Sequence, residues 1–202
     1  ALILIDIQND FCPGGALAVN EGNEIVGIAN ELQKNFKIKI ATQDWHPYTH
    51  KSFASNHEGQ EPLSVIEMFY GQQVLWPDHC IQGSKGAEFH RELITDNSDL
   101  IIRKGFRPEI DSYSAFFEND HKTPTGLEGY LRTRQIKSIY LCGLALDFCV
   151  YFSAIDGAKL GFKVFVIEDA CRAIDLDGSL DNAIKEMKSS GVQLLSSPDL
   201  LS

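Results

Sequence analysis

The chain predicts an α/β fold: a doubly wound, mostly parallel sheet of about six strands with helices on both faces. Short apolar runs rich in Ile, Val and Leu recur along its 202 residues. They lack the in-out alternation of a half-exposed sheet, which suits strands covered on both faces. Segments with helical spacing fall between them, and strand alternating with helix builds a parallel sheet. With 44% apolar and 23% charged residues, the chain can bury a core without disulfides or metal. One domain spanning 1–202 is expected, with a long loop region at about 44–99.

Strands are expected at Ala1–Ile7, Ile38–Thr42, Leu100–Arg103, Ser138–Cys142, Lys163–Ile167 and Gln193–Leu195. The chain begins inside the first of these, so a few residues are expected before Ala1. Glu24–Asn35 places Ile25, Ile28, Ala29 and Leu32 on one helical stripe. Gly126–Thr133 reads as a shorter helix with Thr125 as N-cap. Asp147–Leu160 carries Val150, Ala154, Ile155 and Ala158 at helical spacing, and Gly161 sits where a left-handed C-terminal residue belongs. Ser179–Ser190 is the last helix, followed by Gly191. Two stretches break the alternation: Asp44 to about Asp99, with three prolines and five of the six histidines, and Gly105–Thr125. Their aromatic residues argue against disorder.

Eighteen basic against 28 acidic residues give a formal net charge of −10. That surface repels a phosphate backbone and excludes nucleic acid as a partner. No apolar run is long enough for a membrane helix, and Ala1–Ile7 lacks the basic flank of a signal peptide. The five cysteines show no C-x-x-C pair. Scattered thiols in an acidic chain point to a reducing, cytoplasmic setting.

Ligands of doubly wound sheets sit beyond the carboxyl ends of the strands, so the residues there are the candidates for chemistry. Asp6 ends the first apolar run, where a carboxylate needs a partner. Asp44 and His46 follow the second strand, two apart and so on one side of extended chain. With His79 they make a reasonable divalent-metal set of one carboxylate and two imidazoles, for zinc, iron or manganese. His50 and His57 are rival ligands that spacing does not exclude. Lys104 ends the third strand and, if buried beside Asp6, would support a nearby anion. Cys149 falls near the first turn of the helix after Ser138–Cys142. Helix N–H groups there favour a thiolate and can hold an oxyanion. Of the five cysteines it has the best address for a nucleophile.

These residues stand in motifs that resemble a known family. Asp6-Ile7-Gln8-Asn9-Asp10-Phe11, Asp44-Trp45-His46-Pro47, Trp76-Pro77-Asp78-His79-Cys80, Arg103-Lys104-Gly105 and Gly143-Leu144-Ala145-Leu146-Asp147-Phe148-Cys149-Val150 run in the order of the nicotinamidases (pyrazinamidases) of the isochorismatase-like hydrolase superfamily. Tyr113-Ser114-Ala115-Phe116 adds to the likeness. The resemblance implies an isochorismatase-like, Rossmann-like three-layer fold. It also implies a metal-dependent amidohydrolase that converts nicotinamide to nicotinate and ammonia in NAD salvage and also takes pyrazinamide. Asp6, Lys104 and Cys149 would be catalytic, with Cys149 forming a thioester. Backbone N–H groups of Ala145 and Cys149 would make the oxyanion hole, with a cis peptide at Leu144–Ala145. Phe11, Trp76 and Tyr113 would wall the substrate. Asp44, His46 and His79 would hold one divalent ion, zinc foremost. Members range from monomers to larger oligomers, so a homo-oligomer is compatible. A related cysteine amidase acting on N-carbamoyl or ureido substrates is the alternative, since the thiol triad is shared across the superfamily.

Overall fold

The computed structural model describes residues 1–201. Six parallel strands form the main sheet: β1 (Leu2–Ile5), β2 (Lys39–Asp44), β5 (Leu100–Lys104), β6 (Ser138–Leu144), β7 (Lys163–Arg172) and β8 (Gln193–Leu195). Their order is β5-β2-β1-β6-β7-β8. β3 (Val65–Met68) and β4 (Gly71–Val74) pair with each other as a separate antiparallel hairpin inside the 44–99 excursion. That hairpin was not expected: its strands are four residues long, largely exposed or half-buried, and β4 carries two glutamines. β1 is buried throughout because it is central, with β2 on one side and β6 on the other. The chain leaves β1 toward β2 and later returns to β6, so the switch point lies between β1 and β6. A crevice opens at the carboxyl ends of strands at such a point. The pairs Asp44↔Lys104 and Ile5↔Gly143 bring the ends of β2, β5, β1 and β6 to one edge.

α1 (Ile25–Gln33) lies against β6 and β7 and touches α5 (Pro198–Leu201). α3 (Tyr151–Lys159) lies against β7 and touches α4 (Ser179–Ser189), and the shorter α2 spans Leu127–Thr133. α3 and α4 both end as the sequence predicts. Gly161 and Gly191 take φ of 84° and 81°. Phe162 N–H then reaches Gly157 O and Val192 N–H reaches Met187 O, the long bond of a Schellman cap. At α2 the residue before the helix is left-handed Gly126, and Thr125 contributes a bond from Leu127 N–H to its hydroxyl.

One expected helix divides. Instead of running unbroken from Asp147 to Leu160, the chain makes a wide π turn over Leu146–Val150 before α3 begins. Val150 N–H bonds Ala145 O, five residues back, at 3.1 Å. Single π turns gather at functional sites because the widened ring re-aims side chains. This one carries Cys149. The Leu144–Ala145 peptide before it is cis.

Candidate active site

Asp6, Lys104 and Cys149 meet at the carboxyl edge of the sheet. Lys104 is 1% exposed, a burial that an ammonium tolerates only with full pairing. Its Nζ lies 2.8 Å from Asp6 Oδ2 and 2.8 Å from Ser112 O, bonds Asp44 Oδ1, and reaches Cys149 Sγ at 3.5 Å. Thr42, on β2, donates to Asp6 Oδ1 at 2.6 Å and fixes that carboxyl group, whose backbone is left-handed at φ 47°. Asp6 Oδ2 makes no aligned hydrogen bond, although it is ion-paired with Lys104. A carboxylate oxygen of Asp6, one of Asp44 and Cys149 Sγ all lie within 4.8 Å of one another.

Burial pushes the Asp6 carboxyl up to about 6, against the pull of Lys104. For Asp44 the balance reverses. Burial opposes ionisation, but Lys104 with His46 and His79 holds it well below the usual carboxylate range. The Cys149 thiol is raised well above its ordinary value, first by burial and then by Asp6 and Asp44, with Lys104 opposing. This corrects the thiolate expected from a helix start. Cys149 sits in a π turn beside the carboxylates of Asp6 and Asp44, and with burial they favour the thiol over the thiolate.

Asp44, His46 and His79 are all buried, and one ligand atom from each lies within 4.8 Å of the others. Gln8 locks the backbone of Asp44, accepting from Asp44 N–H at 2.8 Å and donating to Asp44 O at 2.9 Å. His46 Nδ1 bonds Gly105 O and His79 Nδ1 bonds Pro77 O, each at 2.8 Å. Both Nε2 atoms therefore face Asp44 Oδ2, at 3.6 and 4.0 Å. A carbonyl behind each ring is the outer support that metal-binding histidines ordinarily have. Burial and the neighbouring His46 push His79 down to about 4, leaving it neutral with its lone pair available. One hard carboxylate and two imidazoles at this separation fit a divalent ion.

The rival histidines lie outside this set, although His50 forms a second group of close ligating atoms with His46 and Asp111. His57 Nε2 bonds Lys51 O and joins no cluster of ligating side chains among the described residues. His50 is fully buried 4.5 Å from His46, ring to ring. Both its nitrogens are engaged, with Ser52 Oγ at 2.7 Å and Ile110 O at 3.2 Å.

The cavity above Cys149 is lined by Phe11, Trp76 and Tyr113, the residues the resemblance points to, with Ala145 and both Asp44 and His79. Trp76 and Tyr113 rings stand edge to face at 6.2 Å, and the Trp76 indole N–H donates to Tyr113 Oη at 3.1 Å. A lining of this kind is suited to a flat aromatic ring.

The isochorismatase domain family matches residues 1–199. The nicotinamidase of Acinetobacter baylyi is 53% identical over 201 residues, covering 100% of this chain and 94% of that protein. Among solved structures, a nicotinamidase–pyrazinamidase of Acinetobacter baumanii superposes with a TM-score of 0.98 at 54% identity, covering 99% of this chain and 97% of that one. A pyrazinamidase of Pyrococcus horikoshii in complex with zinc gives a TM-score of 0.79 at 35% identity, with 96% and 97% covered. The chain belongs to the isochorismatase family.

Some lining residues of this isochorismatase-family site carry no sequence signal. Leu17 and Ile174 are aliphatic residues in loops. Phe148 adjoins the cysteine and packs 5.0 Å from Trp76, so adjacency to Cys149 could have flagged it. Asp111 is a buried carboxylate between a Gln73 amide N–H at 2.9 Å and Ser112 N–H at 2.8 Å. Thr42 is a polar residue within an apolar strand, and that placement was its only mark, whereas Gln8 stands in the Asp6–Phe11 motif without a role assigned to it.

Proposed function

We infer that the chain hydrolyses nicotinamide to nicotinate and ammonia, feeding NAD salvage, and that it also accepts pyrazinamide. The observation that carries this reading is the convergence of Asp6, Lys104 and Cys149 at an aromatic cavity that Asp44 and His79 also line. Asp6 takes the Cys149 thiol proton as Sγ attacks the carboxamide carbon. A carboxyl group shifted toward neutrality is suited to take and return a proton. The new oxyanion lies near the N–H groups of Ala145 and Cys149. Asp6 returns the proton to the leaving nitrogen, ammonia departs, and a thioester remains on Cys149. Water, giving its proton to Asp6, attacks that thioester and releases nicotinate and the thiol. Lys104 keeps both carboxylates ionisable in a buried site and steadies the sulfur as negative charge develops.

Asp44 and the Nε2 atoms of His46 and His79 would hold the ion, zinc foremost, with iron or manganese compatible. When bound, it supplies a Lewis-acid anchor for the lone pair of a ring nitrogen, which orients the amide toward Cys149. The aromatic walls sandwich the ring. The cavity lining offers no cationic side chain for the carboxylate of an N-carbamoyl or ureido acid, so that alternative is not favoured. We propose that 1–202 acts as one domain in the cytoplasm, with 44–99 delivering the ligands His46 and His79. Among the described residues no helix is long and apolar enough to cross a membrane.

The test is ammonia release from nicotinamide. Cys149→Ala is expected to lower turnover by at least about 10⁴-fold, while metal content measured on the same sample stays at the wild-type level. Turnover retained in that variant would overturn the mechanism.

A further inference from the structure

We propose that Asp147 is a positioning residue that shapes the ring pocket by holding Ile174, and that Ile174 limits which ring substituents the site admits. The inference rests on the amide-hydrolase reading above. The hydrolysis itself makes no use of the Asp147 carboxylate, yet that group is 3% exposed and fully engaged. It accepts from Ile174 N–H at 3.0 Å, from Asp175 N–H at 2.8 Å and from Ser179 Oγ at 2.5 Å. Every one of these partners lies in or next to the strap that links Arg172, the end of β7, to Ser179, the start of α4.

Apolar packing of Ala173 and Ile174 on the core also holds the strap, but its backbone is strained. Asp175, Asp177 and Gly178 all take left-handed backbone, at φ 56°, 49° and 81°. For the two aspartates that conformation costs free energy and persists only where surrounding bonds enforce it. Ser179 relays the constraint, since its hydroxyl also accepts from Leu176 N–H at 2.9 Å. Ile174, the first residue the carboxylate grips, lines the cavity with Cys149. Asp147 and Cys149 share one π turn, two residues apart. One carboxylate thereby ties this aliphatic wall to the turn that carries the nucleophile. A substituent on the ring meets a wall that cannot retreat while those bonds hold.

The experiment compares nicotinamide with a ring-methylated nicotinamide in full-length wild type, Ile174→Ala, Asp147→Asn and Ser179→Ala. The readout is the ratio of kcat/KM for the two substrates on one sample. That ratio is independent of how much protein is correctly folded, so a purely structural role does not move it. Ile174→Ala is expected to shift the ratio toward the methylated amide by about tenfold, the scale of one methylene in an apolar pocket. Asp147→Asn keeps its size but loses an acceptor. It should shift the ratio the same way and raise the nicotinamide KM roughly tenfold, with kcat changed far less. Ser179→Ala should give a smaller shift of the same sign. An unchanged ratio in Ile174→Ala, or a fall in kcat at unchanged KM and ratio in both Asp147→Asn and Ser179→Ala, overturns the proposal. Absence of any turnover in wild type instead defeats the underlying functional reading.

Discussion

The floor and the far wall of the pocket are built by different means. The floor comes from the sheet: Asp6 follows β1, Lys104 ends β5, Asp44 ends β2, and Cys149 follows β6. Asp44 and Lys104 are ladder partners, and Asp6 and Cys149 follow strands that the ladder fixes. The wall comes from the two irregular excursions, which contribute Trp76 and Tyr113. These excursions are joined by the side chain of Gln73, fully buried on the otherwise exposed hairpin. Its Oε1 accepts from Tyr70 Oη and Asn119 Nδ2, and its Nε2 donates to Asp111 Oδ2 and Tyr113 Oη. Geometry on the floor is thus enforced many times over, and vulnerability there lies in charge. Geometry on the wall is enforced locally, and vulnerability there lies in single hydrogen bonds.

The largest effect is expected where floor charge is unbalanced. Lys104→Met leaves Asp6 and Asp44 buried side by side without their cation. Removing one partner of such a buried set costs roughly 3–5 kcal/mol, read as a fall in the chemical-denaturation midpoint, and turnover should vanish. A stable, active Lys104→Met enzyme would show that the floor does not depend on this ammonium. Asp6→Asn comes next, with kcat/KM falling by about 10²–10⁴-fold. The pH profile separates base from scaffold. Asp6 must be ionised to accept the thiol proton, and burial places its titration at about 6. Activity of the wild type should therefore rise as pH increases through about 6, and the residual activity of Asp6→Asn should lack that acid limb. An unchanged limb in the variant would assign it to another group.

The same division explains what could be read from the sequence. Strand ends were legible because Leu2–Ile5, Leu100–Lys104 and Ser138–Leu144 are apolar runs whose period and punctuation are local. Asp6, Asp44, Lys104 and Cys149 stand out as charged or reactive groups just past them. Phe11, Trp76 and Tyr113 were reached through family resemblance rather than spacing, since an aromatic residue in a loop looks the same whether it packs or binds. Gln73 and Asp111 were invisible, because their meaning is a contact between residues 38 apart in chain. The ionisation of Cys149 was misread for a related reason. Helix position is a local signal, whereas burial and the two carboxylates beside the thiol are properties of the assembled fold.

Metal removal probes the place where floor and wall meet, because Asp44 belongs to β2 while His79 belongs to the first excursion. Stripping the ion with a chelator should lower kcat/KM for nicotinamide by about 10²-fold, the scale of losing a Lewis-acid contact, and zinc should restore it. Benzamide, which lacks the ring nitrogen, should be nearly indifferent to the same treatment. Equal losses for both amides would mean that the ion supports the fold rather than the ring.

The smallest effect is expected at the wall, and it decides whether the comparison is sound. Gln73→Leu fills similar space but removes both amide donors and the acceptor, leaving Asp111 and the Tyr113 hydroxyl short of a partner. Trp76 still donates to Tyr113, so the aromatic pair should loosen rather than collapse. The nicotinamide KM should rise roughly tenfold, the worth of a hydrogen bond to a charged group, while kcat stays within a few-fold. Cys149 alkylation by iodoacetamide, which reads the floor alone, should keep its wild-type rate and pH dependence. If Gln73→Leu instead changed kcat and alkylation together, strain in the hairpin would be reaching the strand ends, and floor and wall would have to be treated as one mechanical unit.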